Sequence, residues 1–245
     1  MKKISKSIAT SAIIPASGLG RRLTSDVHKA FVPLLGRPLI IHTLAVFQES
    51  SEVAEIVLVV PSQHIARAQQ LVSDYGLTKV RSVVAGGETR RDSVRNGLSQ
   101  ISSNCEIVLI HDGARPLVHH DVIAASIEAA KVDGAAIAAV PVIDTIKSSR
   151  DGQYVSKTLE RDRLYAVQTP QTFQREIIQQ AYEQAYADGY VGTDDASLVE
   201  RLGLPVRIVT GSYDNIKVTT PTDLIIAECL LARHHVSNLE CLRSE

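Results

Sequence analysis

The 245-residue sequence is 44% hydrophobic and has a formal net charge of -1. This composition is typical of a folded protein with one large α/β domain or two small ones, and it excludes extensive disorder. The near-neutral charge argues against general binders of nucleic acid or anionic membranes, which carry a basic stripe or tail, so we expect any anion site to be local.

The chain carries three cysteines, Cys105, Cys229 and Cys241, with no CxxC pair. This pattern indicates neither a disulfide framework nor a structural zinc site. The first residues, MKKISKSIAT, lack the apolar core of a signal peptide, and no apolar run approaches the roughly 20 residues of a membrane span. We therefore expect a cytoplasmic protein.

Short β-branched runs alternate with amphipathic stretches along the chain. Strands are predicted at 12–15, 55–60, 80–84, 106–110, 135–142 and 206–209. Helices are predicted at 38–49, 64–75, 91–101, 121–132, 175–187, 195–202 and 222–233. This alternation predicts an α/β fold, a mostly parallel sheet with helices on both faces. Such sheets bind ligands at the carboxyl ends of their strands.

The first predicted strand is followed by PASGLGRR. Gly18 and Gly20 allow a tight turn, and Arg21 and Arg22 come directly after it. Backbone N–H groups and guanidinium groups together suit a polyphosphate. The chain has no GxxxxGK[ST] motif, and Leu23 occupies the third glycine position of GxGxxG, which weakens a dinucleotide hypothesis. Taken alone, the loop is as typical of a structural turn with surface cations as it is of a phosphate-binding loop.

The third predicted strand is followed by GGETRRDSV, with paired glycines at Gly86 and Gly87. Asp92 and Ser93 indicate the start of a helix, whose N-terminus attracts anions or contacts a base or sugar. A capped helix with solvated arginines explains the segment equally well by itself. Two such loops at neighbouring strand ends favour a nucleotide site.

The fourth predicted strand is followed by HDGARP, residues 111–116. A carboxylate at the end of a buried strand, beside a phosphate site, is where Mg²⁺ is held through one or two carboxylates and phosphate oxygens. Asp112 is therefore the candidate metal or ribose contact. The alternative is a helix cap or a salt bridge to Arg115.

The segment 145–165 interrupts the alternation because charged residues dominate it around Asp151-Gly152, a strong hairpin-turn signal. A hairpin this polar cannot pack as core. It is either a solvent-exposed hairpin or an arm that packs against a second copy of the chain, since an isolated hairpin is only marginally stable in water.

Two later segments carry candidate residues. TDDAS, from Thr193, reads as a helix N-cap that fully explains Asp194 and Asp195. Lys217 follows the last predicted strand and precedes a helix that opens at Thr220-Pro221. Its apolar neighbours indicate a locally buried backbone with the ammonium directed at a ligand, and an ordinary surface lysine is the alternative.

Eight collinear stretches together resemble one family: IIPASGLGRRL, HKAFVPLLGRPLI, GGETRRDSV, HDGARP, PVIDTIK, TPQTF, TDDASLVE and DNIKVTTPTDL. They are similar to the 2-C-methyl-D-erythritol 4-phosphate cytidylyltransferases from residue 12 to about residue 228. The resemblance implies one Rossmann-like nucleotidyltransferase domain over 1–245, with 145–165 as the β-arm that completes the partner's site in a homodimer. It also implies the reaction of CTP with 2-C-methyl-D-erythritol 4-phosphate, with Mg²⁺ required.

The resemblance also assigns roles to individual residues. Arg22 and Lys29 would stabilise the α-phosphate in the transition state, and Arg161 and Lys217 would position the methylerythritol phosphate. The positions matching the family's CTP site are Pro15, Ala16, Ser17, Gly18, Leu19, Gly20, Arg21, Gly86, Gly87, Glu88, Arg90 and Ser93. Those matching its acceptor site are Asp112, Gly113, Arg115, Thr145, Thr169 and Thr193, with Asp112 also beside the metal.

The sequence departs from the commonest family pattern at Ser17, His28, Glu88 and Thr89. None of these removes a catalytic charge, but His28 replaces the proline that usually precedes the lysine and would restrict its loop. The nearest alternative is ribitol-5-phosphate cytidylyltransferase, which shares the fold and the CTP donor. HDGARP, TDDAS, DNIKVT and Arg161 favour methylerythritol phosphate. A nucleotide sensor and a dehydrogenase are the alternatives from other classes.

Overall fold

The computed structural model describes residues 9–18 and 27–241. Its strands are β1 (Ala9–Pro15), β2 (Pro33–Leu34), β3 (Arg37–Pro38), β4 (Glu55–Val60), β5 (Val80–Ala85), β6 (Cys105–Ile110), β7 (Ala135–Pro141), β8 (Lys147–Ser148), β9 (Lys157–Thr158), β10 (Tyr165–Gln174) and β11 (Arg207–Thr210). Its helices are α1 (Leu39–Glu49), α2 (Ile65–Asp74), α3 (Arg90–Leu98), α4 (His120–Asp133), α5 (Arg175–Ala187), α6 (Ala196–Arg201) and α7 (Pro221–Cys241).

A seven-stranded sheet with the order β11-β7-β10-β6-β1-β4-β5 forms the centre of the fold. β1 pairs in parallel with β4 and β6, β4 with β5, and β7 with β11, whereas β10 is antiparallel to β6 and β7. The chain runs outward from β1 to β5 and then returns to the other side of β1 as β6. Open α/β sheets bind ligands beside such a reversal of strand order.

Successive residues of the central strands point into two different apolar layers, as the period of two in a strand requires. Ala12 and Ile14 join one layer, which α1, α2 and α4 cover. Ile13 lies in the other, which α3, α5 and α6 cover. All six residues of β4 are buried because helices cover both faces of the sheet. The predicted fold class is confirmed.

The sequence did not predict β10. Its residues, YAVQTPQTFQ, include a proline and three glutamines, a composition that argues against a central strand. The ladder between β10 and β7 is interrupted between Val167 and Gln171, and Pro170 lies in that interruption. The missing N–H of the proline is therefore tolerated inside the sheet.

The hairpin predicted within 145–165 is present and short. β8 pairs with β9 in antiparallel fashion, with Lys147 opposite Thr158. Oδ1 of Asp151 accepts hydrogen bonds from the backbone N–H groups of Gln153 and Tyr154, and Gly152 has a φ of 75°. The Asp-Gly turn thus forms as its sequence indicates. The dimerisation role of this arm stays a prediction.

Among residues 9–18 and 27–241, no helix is long and apolar enough to cross a membrane.

Candidate active site

A cavity of about 570 Å³ lies at the carboxyl ends of β1, β4, β5 and β6, beside the reversal of strand order. Most of the predicted site residues line it: Pro15, Ala16, Ser17, Gly18, Lys29, Gly86, Gly87, Glu88, Arg90, Asp112, Gly113 and Lys217. The turn after β4 adds Pro61, Ser62 and Gln63, which the sequence did not single out. Leu19, Gly20, Arg21 and Arg22 lie outside the described residues.

The two glycine loops are bonded to each other through Ser93. Its hydroxyl lies 2.7 Å from Oγ of Ser17, accepts the N–H of Gly87 at 3.1 Å and donates to the carbonyl of Thr89 at 2.9 Å. A Cβ on Gly86 would lie 2.4 Å from Cβ of Ser17, so only glycine allows this approach. Ser93 is fully buried and holds the loops together. Its place in the CTP site, which the resemblance implies, stays a prediction.

The start of α3 is fixed by a capping box. Oγ1 of Thr89 accepts the N–H of Asp92 at 3.1 Å, and Oδ2 of Asp92 accepts the N–H of Thr89 at 3.0 Å. The helix therefore begins at Arg90, one residue before the predicted start. This reciprocal cap places Arg90 at the edge of the cavity.

Asp112 is the centre of the charges in the cavity. Its Oδ1 lies 3.3 Å from Nε of Arg90, and its Oδ2 lies 2.7 Å from Nζ of Lys217 and 3.9 Å from Nε of Arg115. Burial alone would raise the pKa of this carboxyl, but Arg90 and Lys217 hold the pKa well below its usual range. Asp112 is therefore ionised at neutral pH.

The backbone of Asp112 is held from behind by two buried side chains. Its N–H donates to Oγ1 of Thr169 at 3.0 Å, and that hydroxyl lies 3.0 Å from Nδ1 of His111. Nε2 of His111 lies 3.0 Å from the carbonyl of Arg115 and must donate to it. His111 is thus a neutral imidazole that accepts from Thr169. Thr169 was predicted to contact the acceptor substrate. It is 4% exposed, and its hydroxyl bonds within the protein.

His111 makes the stability of the protein dependent on pH. Burial lowers the pKa of His111 to about 4, whereas the unfolded chain protonates its histidine near 6.5. Above pH 6.5 neither state carries the proton, and between 6.5 and 4 the unfolded state alone gains it, so stability falls as the pH falls. Between pH 7 and 5 this loss amounts to about 2 kcal/mol.

We expect His111→Gln to remove this part of the acid sensitivity. Urea unfolding at pH 7 and pH 5 should show a larger loss of stability for the parent than for the variant, because glutamine does not titrate. Equal losses in the two proteins would contradict a neutral His111 in the native state. Carboxylates titrate in both proteins alike, so the difference between them isolates the histidine.

The loop that carries Lys217 is attached to the segment after β6. The N–H of Val218 donates to the carbonyl of Ala114 at 2.8 Å, and Nη1 of Arg115 donates to the carbonyl of Asn215 at 2.6 Å. Val218 and Asn215 are fully buried. The expected buried backbone is present, and it brings the ammonium of Lys217 to Asp112. Arg115 thus lies behind the cavity.

Three predicted site residues lie away from the cavity within the described chain. Thr145 and Arg161 belong to the arm segment, where Nη1 of Arg161 donates to the carbonyl of Ile143 at 2.8 Å. Thr193 is exposed and borders a separate small hollow with Arg90 and Asp195. One subunit alone therefore does not bring Thr145 and Arg161 to the cavity, and Thr193 lies beside it only through the hollow that it shares with Arg90.

The structure corrects the interpretation of the two adjacent aspartates. Asp194 caps the start of α6, since its Oδ1 accepts the N–H of Ser197 at 3.0 Å. The carboxylate of Asp195 makes no cap bond. It lies 2.7 Å from Nη2 of Arg90 and accepts the hydroxyl of Tyr182 at 2.6 Å. Nothing in the sequence TDDAS distinguishes these two roles, so Asp195 and Tyr182 were missed.

Asp112 fits Mg²⁺ only together with a phosphorylated ligand. Within the ranges 9–18 and 27–241, no three His, Cys, Asp or Glu side chains are grouped as metal ligands. Asp112 and Glu88 are carboxylates that line the cavity. Mg²⁺ is commonly bound through one or two carboxylates while phosphate oxygens and water complete its shell. The donor set matches that arrangement.

Comparisons with known proteins agree on one family. The family model described as 2-C-methyl-D-erythritol 4-phosphate cytidylyltransferase matches residues 10–233. A protein of that name from Syntrophus aciditrophicus (strain SB) is 50% identical over 223 residues, which is 91% of this chain and 95% of its own. One from Clostridioides difficile (strain 630) is 46% identical over 222 residues, 90% of this chain and 93% of its own.

Solved structures show the same fold. A 4-diphosphocytidyl-2C-methyl-D-erythritol synthase from Anaerococcus prevotii DSM 20548 superimposes with a TM-score of 0.82 at 33% identity, covering 92% of this chain and 97% of its own. A 2-C-methyl-D-erythritol 4-phosphate cytidylyltransferase from Thermus thermophilus gives a TM-score of 0.75 at 34% identity, covering 91% and 98%.

Proposed function

This chain belongs to the 2-C-methyl-D-erythritol 4-phosphate cytidylyltransferase family, and we propose that its cavity joins CTP to 2-C-methyl-D-erythritol 4-phosphate. The products are 4-diphosphocytidyl-2-C-methyl-D-erythritol and pyrophosphate, on the route to isoprenoid precursors. The observation that carries the proposal is the cavity at the strand reversal, where Arg90 and Lys217 contact the buried carboxylate of Asp112 and Lys29 lines the same cavity.

The reaction needs cations more than it needs a base. An oxygen of the acceptor phosphate is already an anion, and it attacks the α-phosphorus of CTP. A new P–O bond forms there, and the bond to the bridging oxygen of pyrophosphate breaks. The main obstacle is repulsion between two anions, so fixed positive charge and in-line alignment supply most of the catalysis.

The residues divide between the two substrates. The loops at 15–18 and 86–88 line the cavity and would hold CTP. Lys29 would stabilise charge on the α-phosphate, together with Arg22 beyond the described residues. Lys217 would bind the phosphate of the acceptor, and Asp112 keeps its ammonium in place.

Mg²⁺ is part of the proposal. Asp112 would hold it with Glu88 nearby, and the metal supplies further neutralisation of the triphosphate when bound. The protein's own contribution is the pair of cations that Asp112 contacts at the cavity wall, Lys217 and Arg90.

The acceptor is tested by comparing two polyol phosphates. Purified protein is incubated with CTP, Mg²⁺ and either 2-C-methyl-D-erythritol 4-phosphate or ribitol 5-phosphate, and pyrophosphate release is measured. We expect the methylerythritol phosphate to be used far faster. Faster turnover of ribitol phosphate would overturn the proposal, and nucleotide binding without turnover of either compound would indicate a sensor.

We further propose that residues 1–245 act as one domain in a homodimer, with the arm at 145–165 supplying Arg161 to the partner's cavity. The exposed Tyr154 and Val155 on the arm support a docked position. Lys29→Ala and Arg161→Ala should each be nearly inactive alone. Co-expressed in equal amounts, they should regain about a quarter of the parent rate, because half of the dimers are mixed and each mixed dimer has one intact site.

The matched control is Lys29→Ala co-expressed with Lys217→Ala. Both of these residues lie in the cavity of one subunit, so neither site of the mixed dimer is intact and no activity should return. Recovery in both mixtures, or in neither, would contradict an arm that acts in the partner subunit.

A further inference from the structure

Asp195 is a buried carboxylate that forms a salt bridge with Arg90, an arginine that lines the cavity. It is 1% exposed, and its oxygens contact Nη2 of Arg90 at 2.7 Å and the hydroxyl of Tyr182 at 2.6 Å. Burial and the neighbouring Asp195 raise the pKa of Tyr182 well above its usual range, so its hydroxyl keeps the proton that it donates. A buried charge is costly unless it is paired, and Arg90 is the charge that pairs with it.

Arg90 is shared between two carboxylates. Its Nη2 contacts Asp195, and its Nε lies 3.3 Å from Oδ1 of Asp112. The planar guanidinium has its donors in a fixed fork, so two carboxylate partners on two of its nitrogens fix both its position and its orientation. With Asp112 as its only anionic partner, the side chain could rotate about that contact or turn toward a bound triphosphate.

The orientation of the Asp112 carboxylate in turn depends on Arg90. Its Oδ1 is bound by Arg90 and its Oδ2 by Lys217, so the two cations hold the carboxylate plane from opposite oxygens. A shift of Arg90 therefore changes the direction in which Asp112 presents Lys217 to the cavity. Catalysis by positioning is sensitive to displacements of this size, since about 1 Å of misplacement can cost about a hundredfold in rate.

We propose that Asp195, held by Tyr182, is a positioning residue: it fixes Arg90 so that Asp112 and Lys217 keep the geometry with which the acceptor phosphate is bound. This inference rests on the proposed function. It assigns Arg90, which the resemblance places among the CTP-site positions, to the acceptor side of the cavity. The glycine loops that would hold CTP are bonded through Ser93, independently of Asp195.

The test is Asp195→Asn, with Asp194→Asn as the matched control. Both variants remove one negative charge from neighbouring positions, but Asp194 bonds to the start of α6 and does not contact Arg90 in the described structure. For Asp195→Asn we expect kcat/KM for methylerythritol phosphate to fall by about 10- to 100-fold, with the Kd of CTP measured by calorimetry within about threefold of the parent. Asp194→Asn should leave both quantities within about threefold, since asparagine is also a good N-cap.

Tyr182→Phe keeps the proposal testable if Asp195→Asn does not fold. It removes one hydroxyl and leaves the carboxylate, so we expect a smaller fall in kcat/KM for the acceptor, about three- to tenfold, again with CTP binding retained. Equal effects of the Asp195 and Asp194 variants, or equal losses of CTP binding and acceptor use, would overturn the inference. Failure of the parent protein to use methylerythritol phosphate would instead overturn the proposed function.

Discussion

Replacing Lys29 with alanine is expected to lower the rate of pyrophosphate release by about 10²–10³-fold, the size of effect seen when one fixed donor to a developing oxyanion is removed. Lys29 lines the cavity together with the two glycine loops. It is the described member of the pair assigned to the α-phosphate. The charge it would stabilise grows as the phosphorus becomes five-coordinate, so its loss should act on kcat more than on KM.

The same substitution should leave the fold intact. Lys29 begins a short 3-10 turn whose other residues, Ala30 and Phe31, are buried and fix the backbone. Circular dichroism and thermal melting should match the parent. Lys131→Ala is a suitable control because Lys131 pairs with Glu128 on α4 and does not line the cavity. A Lys29→Ala enzyme that releases pyrophosphate at the parent rate would exclude the catalytic role.

The backbone before Lys29 is held in place although His28 stands where the family usually has proline. His28 has a φ of -59°, which is within the range that a proline ring would impose. Its Nδ1 accepts the N–H of Ala30 at 3.4 Å, and its ring lies 5.8 Å from the ring of Phe31 and 5.2 Å from that of His64. Hydrogen bonding and packing thus hold the backbone ahead of Lys29 in the conformation that proline would set covalently.

Most of the fold could be predicted because its strands are short apolar runs and its helices are periodic. The exception is β10, whose glutamines and proline conceal a strand in the middle of the sheet. Gln168 and Gln171 are buried there because their amides bond to Asn215 and to the segment before α6. Such partners lie 20 or more residues away, and local propensity carries no information about them.

The candidate site could be predicted where a residue's role follows from its place at a strand end, as for Asp112, or from a loop motif, as for Gly86. It could not be predicted where the role depends on a partner far along the chain. Asp195 meets Arg90 across 105 positions, and adjacent aspartates before a helix look alike in sequence. The sequence places Ser93 at the end of the second glycine loop, but its contact with Ser17 exists only when the two loops are folded together.

Lys217 and Asp112 are expected to act as one unit, which a double-mutant cycle can measure. Their charged groups are 2.7 Å apart, and both line the cavity. Lys217→Met removes the cation assigned to the acceptor phosphate and should lower kcat/KM for methylerythritol phosphate by about 10²–10³-fold. Asp112→Asn leaves Lys217 without its anchor and should have a similar effect.

The double variant should be less impaired than the product of the two single effects, because residues that act together lose their shared contribution only once. Lys217→Met should still fold, since Arg90 and Arg115 remain beside the carboxylate of Asp112 and its charge stays paired. Rates are measured as pyrophosphate release with the acceptor varied at saturating CTP, and melting is followed in parallel. Effects of the two substitutions that multiply in full would mean that Asp112 acts only through the nucleotide or the metal and makes no contribution through Lys217. The carboxylate would then contribute to catalysis through a contact other than the ion pair seen in the cavity.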